Sequence, residues 1–233
     1  MRASVIAVVT SVALVSTASA QLWNNGPFET SPGISALQTG QTIFGYGNQA
    51  PPTANSMGDD FVVSGGGWNV TDFNVFNYQT GAQTSPSTFT SVNMTIYSGA
   101  VGDTSNQVYT TSGLTNSVWT GVYRTDATGT GTLRPIFQNT VATPGLVLAD
   151  GNYWVSWNVA GTLTSGPWAV PVTPAPLGAN AMQQIGVAGA WATTNNGGLP
   201  DDMAFIFNGT IVPAPSSLAL LGLGGLVACR RRR

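Results

Sequence analysis

Short runs that alternate apolar and polar residues, closed off by Gly, Asn, Asp or Pro, recur through the middle of this chain, and nothing between Gln21 and Ile211 sustains a helical period. Val92, Met94 and Ile96 alternate with Ser91, Asn93 and Thr95. Tyr153, Val155, Trp157 and Val159 share one side of a run entered through Asp150, Gly151 and Asn152, and Met203, Phe205 and Phe207 repeat the pattern. A period of two puts such side chains on one face of an extended backbone, so each run predicts a half-buried antiparallel strand. From Trp68 to Gly81 the phase switches: Phe73 and Val75 share one face, Phe76 and Tyr78 the other, which predicts a bulge or burial on both sides. Further strands are expected at residues 61–63, 118–123, 133–137, 146–148 and 183–187. About eight to ten short strands argue an all-β fold, an antiparallel two-sheet sandwich with jelly-roll-like connections, over residues 57–211. Residues 21–56 read as an irregular lead-in with a strand near Thr42 to Tyr46, and the proline-rich residues 166–180 as a long surface loop.

The ionisable side chains narrow the chemistry. The chain has no lysine and no histidine, and five of its seven arginines are Arg2 and Arg230 to Arg233. Between Gln21 and Ile211 only Arg124 and Arg134 face nine carboxylates, leaving a charge of about −7. Nucleic-acid binding needs clustered Lys and Arg against phosphates, which this body lacks. Ser-His-Asp and Cys-His catalysis need an imidazole, and a Walker-type loop needs a lysine. Cys229 is the single cysteine and lies in the tail, so the body holds no disulfide and no thiolate site.

The two ends are processing segments. Arg2, an apolar stretch from about Val5 to Val15, and small residues at Ala18 and Ala20 form a secretory signal peptide over residues 1–20, with cleavage by signal peptidase expected between Ala20 and Gln21. At the other end, Val212, Pro213, Ala214 and Pro215 precede an apolar run from Ser217 to Cys229, followed by Arg230, Arg231, Arg232 and Arg233. The run is shorter than the roughly twenty residues of a full membrane-spanning helix. Arginines behind it stay on the cytoplasmic side. A transmembrane helix of this marginal length implies transient membrane association rather than a permanent anchor.

Pro-x-Pro, short apolar segment and arginine cluster, in that order over residues 212–233, resemble the PEP-CTERM sorting tail, with Ala214 where that tail carries Glu. The resemblance implies an exosortase partner, cutting near Pro213 to Pro215, and a secreted or surface location in a Gram-negative-type bacterial envelope, often one rich in exopolysaccharide. The body is similar to an uncharacterised secreted module of bacteria with such tails, through "DDFVV" and "GGWNVTDFNVFNYQTG" within residues 59–81, "YRTD" at 123–126, and "GNYWVSW" and "SGPWAVPV" within 151–172. It implies no reaction.

Two residue classes remain as candidate sites. The pairs Asp59-Asp60 and Asp201-Asp202 are the candidate calcium ligands, because calcium takes six to eight oxygens from carboxylates and carbonyls, although no EF-hand loop is present. Trp154 and Trp168 are the candidate sugar-stacking rings: Trp154 lies on the face opposite Trp157, and Trp168 in the proline-rich stretch. The expected function is therefore non-enzymatic, an exported envelope or extracellular-matrix protein with a structural or binding role. The alternatives are a carbohydrate-binding module with or without calcium, and a glycoside hydrolase working with carboxylates alone.

Overall fold

A computed structural model of the chain describes residues 19–172 and 178–212. In chain order the strands are β1 (Ala20–Asn24), β2 (Ile34–Ala36), β3 (Tyr46–Gly47), β4 (Ser56–Val63), β5 (Trp68–Tyr78), β6 (Phe89–Tyr97), β7 (Gln107–Gly113) and β8 (Asn116–Thr125). They continue as β9 (Pro135–Leu148), β10 (Gly151–Gly161), β11 (Trp168–Ala169), β12 (Met182–Gln184), β13 (Trp191–Thr193), β14 (Asn195–Asn196), β15 (Leu199–Pro200) and β16 (Phe205–Ile211). The larger sheet runs β1-β16-β5-β9-β8-β2, with β11 beside β5 and β3 beside β11; the facing sheet runs β13-β12-β4-β10-β6-β7, and β14 and β15 form a small two-stranded sheet of their own. Consecutive strands cross between the sheets at β4 to β5, β5 to β6, β7 to β8 and β9 to β10, while β6–β7 and β8–β9 are hairpins within a sheet.

The core between the sheets is built from the alternating residues. Val92, Met94 and Ile96 of β6, Val155, Trp157 and Val159 of β10, and Phe205 and Phe207 of β16 all lie in it, together with Phe61, Phe73 and Met203. The phase switch in β5 has both expected causes. Its ladder with β9 shifts register between Val70 and Asp72, and every residue from Phe73 to Tyr78 is buried. Phe73 and Val75 face the other sheet, whereas Phe76 and Tyr78 join Val122 and Ile136 in a second apolar cluster on the outer side of the larger sheet.

That second cluster changes the reading of three segments. Residues 166–172 are not a surface loop: Trp168 and Ala169 pair with both β3 and β5, and Val170 and Val172 are buried in the outer cluster. Proline fits there because Pro167 directly precedes the two-residue strand, and the bridge of Pro171 to Met203 uses the Val172 and Ala204 N–H groups rather than one from Pro171. The lead-in is more ordered than its composition suggests. β1 is an antiparallel edge strand on β16, β2 lies parallel to β8, and Phe28 and Phe44 pack on the outer cluster. Near Thr42 to Tyr46 only Tyr46–Gly47 is strand. Finally, 135–137 and 146–148 are the two ends of the one strand β9, with Leu133 and Arg134 outside it, and β12 stops at Gln184, leaving Ile185 and Val187 exposed.

Candidate functional site

The described part of the chain enters and leaves the sandwich along one edge. Ala20 lies opposite Gly209 and Gln21 opposite Asn208, so the expected signal-cleavage bond is at the exposed start of β1. β16 ends at Ile211, and the Val212 N–H donates to the Gly67 carbonyl at 2.9 Å. The strand pairing thus places the entry from residue 19 beside the exit at residue 212. Ala18, Pro213, Ala214, Pro215, Arg230, Arg231, Arg232 and Arg233 lie outside the described residues, as does the apolar run of the tail. Among the described residues no helix is long and apolar enough to cross a membrane.

The structure brings together one member of each aspartate pair, Asp59 and Asp202, and turns Asp60 away from them. Asp59 and Asp60 are neighbours on β4 and so point to opposite faces. Asp59 is fully buried on the core side, where its Oδ2 accepts from the Met203 N–H at 2.7 Å and from Asn25 Nδ2 at 3.0 Å, and its Oδ1 from the Asp60 N–H. Asp60 faces outward and accepts from the Ala179 N–H at 2.8 Å. Asp201 accepts from the Tyr46 hydroxyl at 2.8 Å, tying the lead-in to the approach to β16. Asp202 is buried near enough to Asp59 for the two carboxyls to influence each other. Among the described residues no group of three or more His, Cys, Asp or Glu side chains is arranged to hold a metal ion. What the carboxylates visibly do is join distant segments through hydrogen bonds.

Burial gives these groups a pH signature. Desolvation, then the Asp202 charge, hold the Asp59 carboxyl well above the usual carboxylate range despite the N–H donors that oppose them. Burial also raises Asp60 and Asp201. A group whose folded pKa is raised binds more protons in the folded state, so stability falls as pH climbs from the unfolded value through the folded one. The exposed Asp103 and Asp126 are shifted down by hydrogen bonds from Ser105 and Thr128, and their contribution is lost only as pH drops below the ordinary carboxylate range. The thermal midpoint is therefore expected to rise on acidification from pH 8 to about pH 4.5, and Asp59→Asn is expected to flatten that rise. A wild-type midpoint that instead increases with pH would contradict the assignment.

Neither body arginine is on the open surface, and their roles differ. Arg124 is buried beneath the lead-in, where its Nε donates to the Phe44 carbonyl at 2.7 Å and its terminal nitrogens reach Ser35, Ala36 and Ile43. Burial pulls its pKa down to about 10, which still leaves it charged at neutral pH. Arg134, in contrast, is half-buried with its guanidinium carbon 4.0 Å from the centre of the Phe44 ring. Among the described residues that guanidinium has no hydrogen bond and no ion pair. The tryptophans also divide. Trp157 is core, as its alternation requires, while Trp154 is half-buried on the outer face opposite Asp60 and Tyr97. Trp168 is half-buried against the outer cluster, with its Nε1 donating to Ser165 Oγ at 3.4 Å. It borders a cleft of about 200 Å³ lined by Phe44, Gly45, Tyr78, Thr80, Arg134 and Ser165. Sequence reasoning singled out Trp168 but passed over Arg134 and Phe44. The usable signal was the scarcity of cations, since a body with two arginines has placed one of them beside an aromatic wall.

Comparison with curated proteins found none that matches the chain. Residues 212–233, beginning at the last described residue of the sandwich, match the PEP-CTERM protein-sorting motif, and the chain that carries this motif is an exported protein of the kind sorted by exosortase.

Proposed function

We propose that this protein is a non-enzymatic component of the bacterial cell envelope or extracellular matrix, released from its sorting tail as a β-sandwich that works by binding or by structure in contact with exopolysaccharide. The observation that carries the reading is the sorting motif joined directly to the last strand of the sandwich. Two features of the body support it. It contains no His, Lys or Cys to act as base or nucleophile. Its neighbouring carboxyls, Asp59 and Asp202, are in the interior rather than in a cleft where a glycosidic bond could lie between them. Entry and exit along one edge also suit a domain held at a membrane through both ends before processing.

Intact-mass measurement of the protein recovered from its native envelope and medium is the direct test. The expected product starts at Gln21 and ends near Val212 to Pro215, with or without added mass. A product that retains Arg230 to Arg233 would establish a permanent anchor and remove the sorting step from the proposal. A second, more specific reading is that the sandwich binds glycan. The half-buried Trp168 beside an open cleft favours it, because a planar ring next to hydroxyl groups is a surface on which a sugar face can stack.

A further inference from the structure

We infer that the cleft between Phe44, Tyr78, Arg134 and Trp168 is a binding site for a carboxylate-bearing sugar of the uronic acid class; this rests on the glycan-binding reading and adds the charge of the ligand to it. Charge comes first. Between Gln21 and Ile211 the chain has two cations and nine carboxylates, and although Asp59, Asp201 and Asp202 are buried, negative charge still outweighs positive on the surface and repels an acidic ligand from most of it. Arg124 is already consumed by the carbonyls and hydroxyl of the lead-in. Arg134 is the cation left over, and it is presented in a cleft rather than spread on the surface.

The guanidinium is also held in place. It lies over the Phe44 ring, which fixes one face by a cation–π contact and leaves the N–H edge for an acceptor. Asp126 feels the Arg134 charge, but its hydrogen bonds come from the Thr128 N–H at 3.0 Å and the Thr128 hydroxyl. A carboxylate matches the planar fork of Arg with two parallel hydrogen bonds.

The remaining walls select a sugar over a simple acid. Trp168 is pinned by its register with Tyr78 and by Ser165, and its indole sits so close over Gly166 that a Cβ there would come within 2.6 Å. Gly45 does the same for the floor, where a Cβ would stand 2.9 Å from the Tyr78 ring. Two glycines thus let two rings approach the backbone and leave the space open. A flat apolar wall, a cation and the Thr80 and Ser165 hydroxyls form a recognition set for a pyranose with one carboxylate. The cleft, at about 200 Å³, is smaller than sites that enclose drug-sized ligands. It accommodates one terminal or branch residue rather than a buried length of polymer.

The test uses the full-length chain and three matched probes: digalacturonate, its methyl ester, and the neutral galactose disaccharide, each titrated by calorimetry at low and high salt. Digalacturonate is expected to bind at least tenfold more tightly than either uncharged probe, and less tightly at high salt. Arg134→Gln is expected to weaken digalacturonate by about tenfold to a hundredfold, the scale of a lost charged hydrogen bond, and to weaken the neutral probe far less. Arg134→Lys should restore part of the loss, as a charge without the fork. Thermal unfolding of both variants checks that the fold is kept. Equal binding of acid and ester, or digalacturonate binding indifferent to Arg134→Gln, would overturn the inference while glycan binding stood. Absence of binding by all three probes and by a wider saccharide panel would remove the glycan-binding reading with it, and would leave the sorting of the chain to its own mass measurement.

Discussion

Trp157→Ala is expected to cost the sandwich about 3–5 kcal/mol of stability, whereas Trp154→Ala, three residues earlier on the same strand, is expected to cost under about 1 kcal/mol. The difference comes from the pleat. Trp157 points between the sheets, where its ring meets Phe73 edge-on and Phe205 at a tilt, each with centroids 5.7 Å apart. Truncation there removes a large apolar group and leaves a cavity that neighbours on two sheets cannot jointly fill. Trp154 is half-buried on the outer face of its sheet, so its truncation opens to solvent rather than into the core. Trp157→Phe provides an internal check. The Trp157 Nε1 is buried without a hydrogen-bond acceptor, so its loss removes a desolvated donor while most of the ring volume is kept. Phe is therefore expected to recover more than half of the loss seen with Ala. Equilibrium urea unfolding reads all three variants, and equal losses for Trp154→Ala and Trp157→Ala would mean that the facing of β10 is wrong.

Arg124→Met is expected to cause a loss of similar size, about 3–5 kcal/mol, through a different mechanism. Methionine fills most of the space but donates nothing. The carbonyls of Ser35, Ala36, Ile43 and Phe44 and the Ser35 hydroxyl would then lose the guanidinium that reaches them all. Replacing a buried ion by an apolar residue can be neutral when its partners leave with it, but here the partners are backbone groups that stay behind. The effect should be local before it is global. Limited proteolysis is expected to cut between Ile34 and Phe44 in Arg124→Met under conditions that spare the parent protein. Arg124→Lys is expected to recover only part of the stability, because an ammonium cannot span acceptors on both β2 and the strand-free segment at Ile43 and Phe44. A fully stable, protease-resistant Arg124→Met would show that the outer apolar cluster alone holds the lead-in down.

The alternating runs and the terminal segments could be read directly, because both are written in contiguous residues. Period-two patterning assigned Val92, Met94 and Ile96, and Val155, Trp157 and Val159, to the core, since a one-residue slip would turn either set out of it. The sorting motif is similarly local, with its three parts in order over residues 212–233. Residues 21–56 and 166–172 were harder to read. Their order comes from a second apolar surface, on the outer side of β5, which offers partners to short segments that have no periodicity of their own. The cleft was harder still. Phe44, Tyr78, Arg134 and Trp168 come from four separate segments and meet only because β11 inserts beside β5 while Arg124 pins the lead-in across it. Local patterning therefore determined the long alternating strands, their buried faces and the sorting motif, since a pleat and a linear motif are properties of neighbouring residues. Only the tertiary structure decided which half-buried rings and which of the two arginines share a site, because that depends on strand pairing between residues far apart in the chain.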